Sequence, residues 1–499
     1  MIQENNEAAV KSVWNEDGLD ITELSVKELQ NAMEQGLVTS EELTVKYLER
    51  IKKYDKEGPA INSLVYVNER AILTARELDR EREEQGIRGW LHGIPIVLKD
   101  NYDTFDMLTT ASSLVLKNSY PLQDSFMVQQ LKEAGAVIIG KSNMHEFAYG
   151  ISTHSSLGGQ TLNPYKLERH PGGSSGGTAA AVAANFAAVG LGTDTGCSIR
   201  NPAAHNNLVG LRPTQGLTSR SGIIPISFTQ DTGGPIGRNV EDVALVMDIL
   251  AGKFDERDPS TKAGEDRQPE SYLAYLQSNQ LKKVKIGILI DRFGGNKDSE
   301  PVNKVLLKAI SDMESNGAEM LEIRLQELLD FDALSIPKFE FKTAIEEYLN
   351  SLGESRPVST LEEIIESGLC SPTIMGDLTE ASLMSLEDPI YKKRLDEREQ
   401  YRETIIKKMN DLELDAILYP TFQSPAPYLS EQKWEDNNGD LSAYSGLPAV
   451  SVPAGFTEEG IPVGLELLAR PFEEGTLLGI AYSFEQKTKH RKLPVHTPR

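Results

Sequence analysis

The sequence predicts an α/β fold, in which a single large domain is built on a central mixed β-sheet covered by helices on both faces. Short β-branched runs, such as IPIVL at 94–98 and AVII at 136–139, alternate with glycine-rich turns and helical segments. Similar runs return late in the chain, at 416–420, 449–456 and 463–469, after a long charged stretch. Of the 499 residues, 39% are hydrophobic, which is enough for one large core.

The first part of the chain, residues 1–90, is predicted to be helical. Ser25 with Glu28, and Thr39 with Glu42, have the spacing of a capping box, in which two side chains satisfy free backbone N–H groups of a first helical turn. The N-terminus has no basic segment followed by an apolar run, so it does not resemble a secretory signal. We therefore expect a cytoplasmic protein.

Three further segments follow this helical part. Strands and helices alternate over 90–252, where the glycine-rich motifs also lie. Residues 254–440 leave this pattern for a polar and then mainly helical stretch, and 441–499 return to strand-like sequence. A pattern that is interrupted and then resumed predicts an insertion into one domain spanning 1–499, rather than two independent domains.

The composition excludes several classes of function. The chain has 51 Lys and Arg residues against 75 Asp and Glu residues, a net charge of −24, which argues against a surface for nucleic acid or an anionic membrane. The longest apolar run, 179–191, contains Asn185 and is shorter than the ~20 residues that span a bilayer. Cys197 and Cys370 are the only cysteines and the seven histidines are scattered, so we expect neither a disulfide framework nor a metal site.

Two glycine-rich motifs suggest chemistry that their context does not support. Residues 135–142 match the phosphate-binding pattern G-x4-G-K-[ST]. The variable positions, 136–139, are stiff strand-forming residues, so nucleotide binding is only a remote alternative. Residues 172–176 match the nucleophile elbow G-x-S-x-G, but a polar loop with two prolines precedes them instead of a strand. We interpret them as a glycine-rich turn that begins an alanine-rich helix.

A third turn carries Ser198. It follows the strand-like AAVGL at 187–191, and its glycines leave backbone N–H groups able to stabilise an oxyanion. A serine nucleophile needs a base. His92 and His170 lie near the motifs and are candidates, but neither has an obvious acid to orient it. Lys99 is a further candidate because a run of bulky apolar residues leads into it. Burial of Lys99 would lower its pKa and leave a neutral amine. Lysines reach solvent more often than they are buried, so Lys99 by itself does not decide the function.

Taken together, these segments resemble the amidase signature family. Several long motifs occur in the family's order, densely over 90–252 and more weakly over 445–485. The resemblance implies the family's fold and amide hydrolysis without a metal or an organic cofactor. The matching segments are GIPIVLKDN (93–101), GKSNMHEFAYG (140–150), NPY (163–165), PGGSSGGTAAAVAA (171–184), GTDTGCSIRNPA (192–203), VGLRPTQGL (209–217) and DTGGPIGRNVEDVALVMDILAG (231–252).

The resemblance also implies a Ser–cisSer–Lys triad. Lys99 matches the family's base, Ser174 matches the bridging serine that follows a cis peptide bond, and Ser198 matches the nucleophile. The family's oxyanion hole uses backbone N–H groups of the turn before the nucleophile, and supporting residues lie just ahead of it. In this sequence the oxyanion-hole residues are Thr195, Gly196, Cys197 and Ser198, and the supporting residues are Thr193 and Asp194.

One position departs from the family pattern. The family commonly has Gly-Gly-Ser where this chain has Gly196-Cys197-Ser198. The backbone N–H at position 197 is kept, so the reaction class is unchanged. We expect Cys197 to tune the acyl pocket or to pack inward, and its thiol adds a rival nucleophile.

Two branches of the family compete. The first is a stand-alone amidase that converts a carboxamide to a carboxylate and ammonia or an amine through an acyl-enzyme, and LELLARPFEEGTLL (465–478) favours it. The alternative is the A subunit of glutamyl-tRNA amidotransferase, the glutaminase component, which passes ammonia to a partner. Its glutamine site is associated with a Tyr- and Arg-rich segment, which residues 373–445 of this chain lack. We therefore expect a small-molecule amide substrate, a monomer or homodimer, and no nucleic-acid or membrane partner.

Overall fold

A mixed β-sheet of eleven strands forms the centre of the molecule. The computed structural model describes residues 14–15, 18–325, 334–431 and 433–499. Helices pack on both faces of the sheet, so the predicted α/β fold with a central mixed sheet is confirmed. Two small two-stranded sheets lie outside the central one.

The bounds of the elements are as follows. The strands are β1 Trp14–Asn15, β2 Gly18–Leu19, β3 Leu64–Val67, β4 Pro95–Lys99, β5 Val137–Ser142, β6 His154–Ser155, β7 Gly159–Gln160, β8 Val189–Asp194, β9 Val209–Arg212, β10 Thr232–Gly237, β11 Lys285–Leu289, β12 Glu319–Ile323, β13 Ala416–Pro420, β14 Ala449–Phe456 and β15 Pro462–Leu468. The helices are α1 Val26–Glu34, α2 Ser40–Arg50, α3 Ala71–Gln85, α4 Phe126–Glu133, α5 Gly176–Ala183, α6 Arg200–His205, α7 Val240–Leu250, α8 Glu300–Ser315, α9 Pro337–Ser351, α10 Leu361–Glu366, α11 Met375–Ser382, α12 Pro389–Asp411, α13 Asp440–Ser445 and α14 Glu474–Thr488.

The sheet places early and late strands side by side. Its order is β12-β11-β13-β15-β14-β9-β10-β8-β4-β5-β3. β4 runs parallel to β5 and β8, and β11 runs parallel to β12 and β13. The other neighbours are antiparallel, including β14 with β9. Because β14 and β15 sit in the middle of the sheet, the end of the chain is part of the same core as the glycine-rich motifs.

β3 differs from the prediction that residues 1–90 are helical. The helices α1, α2 and α3 are present, and both predicted capping boxes form, at Ser25 and Thr39. Between α2 and α3, however, β3 pairs with β5 at the edge of the sheet. Four residues are too few to carry a periodic pattern, so the strand depends on the hydrogen bonds that β5 supplies.

Residues 254–440 contribute strands as well as helices. β11, β12 and β13 lie in this stretch and form one end of the central sheet. The helices α9, α10 and α11 share an apolar cluster with the loops that follow β4 and β5. This cluster brings the middle of the chain over the ends of the strands that carry the glycine-rich motifs.

Strand β5 contains most of the phosphate-binding pattern at residues 135–142. Residues 137–142 are a strand that is hydrogen-bonded to β3 on one side and β4 on the other. Lys141 is completely buried, and its Nζ donates to Tyr102 O at 2.6 Å and to Thr109 Oγ1 at 2.9 Å. Backbone that is committed to a sheet cannot wrap a phosphate, so the structure does not support the nucleotide-binding alternative.

No helix within the described ranges has the length and apolar composition needed to cross a membrane. The apolar run that begins at position 179 is divided between the eight-residue helix α5 and the strand β8. Residues 1–13, on which the expectation about a secretory signal rests, lie outside the part of the chain that the structure describes.

Candidate active site

Strand β4 carries Lys99 into the interior, where its side chain is completely buried. Its Nζ lies 2.7 Å from Ser174 Oγ and 2.7 Å from Thr193 Oγ1. Desolvation lowers the pKa of Lys99 to about 7, although the charges of Asp194 and Asp231 pull that pKa upward. Near neutral pH a large share of the molecules therefore carries the uncharged amine that a general base requires.

The loop before α5 presents its first serine, Ser174, to the lysine. The peptide bond between Gly173 and Ser174 is cis, which is the feature that the resemblance implies for the bridging serine. A Cβ at Gly177, in the first turn of α5, would lie 2.1 Å from the backbone oxygen of Asn143, so only glycine lets the start of this helix lie so close. The N–H of Ser175 donates to Ser198 O at 3.3 Å, and this bond ties the loop to the turn that holds the predicted nucleophile.

Ser198 lies in a turn, residues 195–198, that joins β8 to α6. Three consecutive carbonyl groups at this turn accept hydrogen bonds from buried side chains. In a trans peptide the N–H points away from the preceding carbonyl, so fixing these carbonyls also fixes the direction of the N–H groups that follow them. The three bonds run from Arg212 to Asp194 O, from Gln230 Nε2 to Thr195 O at 2.6 Å, and from Arg200 Nη2 to Gly196 O at 2.8 Å.

The N–H groups of this turn are available to a ligand. Those of Gly196, Cys197 and Ser198 donate to no acceptor among the described residues. Ser198 is 7% exposed and lines a cleft of about 720 Å³. Free N–H groups beside a serine in a cleft can stabilise the oxyanion of a tetrahedral intermediate. The hydroxyls of Ser174 and Ser198 do not hydrogen-bond to each other in this structure.

A buried network of charges anchors the turn. The carboxylate of Asp194 lies 3.1 Å from Arg200 and 3.0 Å from Arg212, and Arg200 also pairs with Glu466 on β15. Burial alone would raise the pKa of Asp194, but the two arginines hold it well below its usual range. Asp194 is therefore placed as an anchor of the turn, and Arg200 links that turn to β15 in the middle of the sheet.

The two threonines of this region hold different parts of the site. Thr193 Oγ1 contacts the amine of Lys99 and accepts a hydrogen bond from Asn101 Nδ2 at 3.0 Å. Thr195 Oγ1 donates to the carboxylate of Asp231 at 2.6 Å. Both threonines also line a second cavity, of about 690 Å³. Thr193 thus orients the lysine, and Thr195 orients the turn.

Cys197 packs inward against Ile151 and Phe422. Its side chain is 2% exposed, and burial raises the pKa of its thiol far above the usual range. A thiol that stays protonated is a poor nucleophile, so the geometry favours Ser198 over its neighbour. Cys197 has no positive φ, which explains why a side chain is tolerated where the family commonly has glycine.

Histidine does not take part in this arrangement. All seven histidines are described, and none of their side chains hydrogen-bonds to Ser174 or Ser198. His92, which stands close to the β4 motif in the sequence, instead places its Nε2 2.9 Å from Leu78 O. Within the described ranges, no group of three or more His, Cys, Asp or Glu side chains could hold a metal ion.

The outer part of the cleft, which we call the rim, is built mainly by residues from the second half of the chain. Trp434 is 52% exposed there. The cations of the rim are paired with carboxylates, at 3.1 Å for Arg292 with Asp440 and 3.0 Å for Lys338 with Asp377. The rim comprises Arg292, Lys338, Asp377, Trp434, Asp440 and Tyr444.

Sequence reasoning missed three residues that hold the site together: Asn101, Arg212 and Gln230. Asn101 and Arg212 lie inside segments that carry the resemblance, but a sequence motif does not identify the hydrogen-bond partners of its side chains. Gln230 directly precedes the DTGGPIGRN segment. Each of the three lies within two residues of a strand end, in or beside a matching segment, and this position is the signal that could have pointed to them.

Known proteins match this chain over nearly its whole length. The sequence model of the amidase family matches residues 42–478. The A subunit of the glutamyl-tRNA(Gln) amidotransferase of Caldanaerobacter subterraneus is 34% identical, over 95% of this chain and 99% of that protein. Seven further relatives with the same name, from other organisms, are 33–36% identical.

Two solved structures are similar in fold. The native peptide amidase of Stenotrophomonas maltophilia has a TM-score of 0.86 and is 35% identical, covering 96% of this chain and 99% of that chain. The A subunit of the glutamyl-tRNA(Gln) amidotransferase of Thermotoga maritima has a TM-score of 0.73 and is 29% identical, covering 95% of this chain and 98% of that chain.

These relatives overturn one expectation. The sequence favours a small-molecule amide substrate, a monomer or homodimer, and no nucleic-acid partner. The curated relatives are instead named as one component of an enzyme whose name includes a tRNA. The prediction was wrong because a net charge of −24 describes the whole chain and says nothing about a local surface or a partner subunit.

Proposed function

Because this chain belongs to the amidase family, we propose that it hydrolyses a primary carboxamide at Ser198 and releases ammonia. The observation that carries the proposal is the 2.7 Å contact between Lys99 Nζ and Ser174 Oγ, in an interior that lowers the pKa of Lys99 to about 7. A weakly basic buried amine next to serine hydroxyls and free backbone N–H groups has the parts that activate a serine nucleophile.

In the proposed reaction, neutral Lys99 accepts the proton of Ser174 while Ser174 accepts the proton of Ser198. Ser198 Oγ attacks the carboxamide carbon, and the N–H groups of the turn stabilise the oxyanion. The protonated lysine returns a proton through Ser174 to the nitrogen, so that ammonia leaves and an acyl-enzyme remains. Water, deprotonated through the same relay, then cleaves the ester and releases the carboxylate. Substrate binding has to draw the two serine hydroxyls together, as catalytic hydrogen bonds often tighten only in the complex.

The curated relatives favour one role for this chemistry, that of the A subunit in a glutamyl-tRNA(Gln) amidotransferase. Glutamine carries a primary carboxamide, so its hydrolysis at Ser198 supplies ammonia that a partner protein can transfer to glutamyl-tRNA. The support is the identity of 33–36% with eight proteins of that name, over 94–95% of this chain. In this role the protein works as part of a complex.

Two observations favour a second role, the hydrolysis of a peptide amide. The TM-score is 0.73 with the amidotransferase protein of Thermotoga maritima but 0.86 with the peptide amidase. At the rim, Arg292 and Lys338 are each paired with a carboxylate. The α-carboxylate of free glutamine would have to compete with those partners, whereas the amidated end of a peptide carries no carboxylate.

Ammonia release tests both roles. The purified protein is assayed with L-glutamine, a dipeptide amide and acetamide. Each assay is run with and without glutamyl-tRNA(Gln), ATP to activate the glutamyl carboxylate, and the remaining amidotransferase components of Caldanaerobacter subterraneus. Formation of glutaminyl-tRNA supports the first role, and turnover of the dipeptide amide by the protein alone supports the second. Ser198→Ala serves as the inactive control in each mixture. Ammonia release from no amide in either mixture would refute the proposed chemistry.

A further inference from the structure

Gln230 is held in place next to the predicted oxyanion hole. It is 2% exposed, lies two residues before β10, and lines the same cleft as Ser198. Its side-chain Nε2 donates to Thr195 O at 2.6 Å, and its own backbone carbonyl accepts a hydrogen bond from Arg212 at 2.7 Å. Both ends of the residue are therefore anchored, so the amide group has one preferred orientation.

The side-chain oxygen of Gln230 lacks a partner. Its Oε1 is buried and makes no hydrogen bond with any residue that the structure describes. A carbonyl oxygen can only accept, so the nitrogen must face Thr195 O and the acceptor must face elsewhere. A buried acceptor without a donor is unfavourable, and a ligand that brings an N–H group into the cleft removes that deficit.

We infer that Gln230 Oε1 accepts a hydrogen bond from the carboxamide N–H of the substrate, and that this bond makes the site prefer amides to esters. The inference rests on the proposed function. A primary carboxamide has two N–H groups next to its carbonyl oxygen, so the nitrogen can donate to Gln230 while the oxygen faces the N–H groups of the turn. The alkoxy oxygen of an ester has no hydrogen to donate, and it leaves the buried acceptor unpaired.

The ratio of amide to ester hydrolysis tests this role. The value of kcat/KM is measured for the amide that the wild-type protein hydrolyses fastest in the ammonia-release assay and for the corresponding methyl ester, with the wild-type protein and with Gln230→Met. The variant keeps the size of the side chain but removes its acceptor, so the ratio is expected to fall on the order of tenfold or more. The variant also loses the hydrogen bond from Gln230 to Thr195 O, which loosens the turn. This loosening should lower kcat/KM for both substrates alike.

Thr195→Val is the matched control, because it removes the bond from Thr195 Oγ1 to Asp231 and leaves Gln230 intact. It is expected to slow both substrates while changing the ratio by less than about twofold, since the substrate N–H keeps its acceptor. An unchanged ratio in Gln230→Met, or an equal fall in Thr195→Val, would overturn the inference.

Binding gives a second measurement that needs no change at Gln230. With the Ser198→Ala protein, the amide is expected to bind on the order of tenfold more tightly than its methyl ester, and equal affinity would contradict the role. The outcomes separate the two proposals. If the wild-type protein releases ammonia from no amide in the assay of the proposed function, the proposed function fails. If it hydrolyses both and the ratio does not respond to Gln230→Met, only the role of Gln230 fails.

Discussion

The turn that carries Ser198 and the rim of the cleft are built in opposite ways. At the turn, three consecutive carbonyls and one carboxylate are held by buried arginine and glutamine side chains. At the rim, Lys338 pairs with Asp377 and Glu380, whose side chains are 39% and 50% exposed. Breaking a buried ion pair costs about 3–5 kcal/mol, whereas an exposed pair contributes ~0–1 kcal/mol. The turn of the proposed nucleophile is therefore held by buried charges, whereas Lys338 at the rim is held only by exposed ones.

The largest effect is expected at the turn itself. Ser198→Ala removes the predicted nucleophile and should lower kcat by on the order of 10⁴- to 10⁶-fold in an ammonia-release assay, as for the loss of other serine nucleophiles. Ser424→Ala is a matched control, since Ser424 is also buried and its Oγ has no hydrogen-bond partner among the described residues. Full activity in Ser198→Ala would assign the nucleophile to another residue.

The next largest effect is expected from the anchor of the turn. Arg200→Ala leaves the buried carboxylates of Asp194 and Glu466 without this partner and should lower the free energy of unfolding by about 3–5 kcal/mol in urea denaturation. Arg324→Ala removes an arginine that is 58% exposed and paired with Asp291, and it should cost less than about 1 kcal/mol. Similar losses in the two variants would remove the contrast between buried and exposed charges.

The buried amine predicts a pH dependence of both activity and stability. Activity should rise as Lys99 loses its proton near pH 7 and level off above it. The pKa of Lys99 falls from 10.5 in the unfolded chain to about 7 in the folded one, so between these values the unfolded state binds the extra proton. The stability of the wild-type protein therefore gains about 1.4 kcal/mol per pH unit from this group across that window.

Lys99→Met should abolish activity and remove this contribution to the pH dependence of stability. Thermal unfolding of the wild-type and variant proteins at pH 7 and pH 10 measures the difference. The unfolding temperature of the variant should exceed that of the wild-type protein by more at pH 7 than at pH 10. At pH 7 the wild-type lysine is charged in the unfolded chain, and this charge favours unfolding. Parallel changes in the two proteins would mean that Lys99 is charged in the folded state.

The smallest effect is expected at the rim. Trp434→Ala should raise KM about fivefold and change kcat less than twofold, because a contact made equally in the ground state and the transition state affects binding alone. Trp90 is 41% exposed, does not line the cleft, and provides the matched control. A fall in kcat without a change in KM would place Trp434 in the chemical step. It would contradict the expectation that rim residues affect binding alone.

The parts of the fold that sequence reasoning could predict are those with a continuous pattern. β13 and β14 have the bounds predicted for them, 416–420 and 449–456, because long apolar runs mark buried strands. Lys99, Ser174 and Ser198 could be proposed because each stands in a long motif. β3 could not be predicted, since its four residues form a strand only beside β5.

The parts that could not be predicted join residues that are distant in the sequence. Arg212 lies 18 positions from the carbonyl it binds, and Gln230 lies 35 positions from its partner. Only the packed sheet brings these groups together. The rim lies largely in the stretch that matches no motif, so its side chains and their pairing could be read only from the structure.

The pair between Arg200 and Glu466 joins residues that are 266 positions apart. During translation, the ribosome therefore releases Lys99, Ser174 and Ser198 long before β15 has been synthesised. A nascent chain at that stage contains every group of the proposed relay, but Arg200 lacks one of its two carboxylates and the middle of the sheet is missing. We therefore expect the proposed nucleophile to become active only when the polypeptide is almost complete.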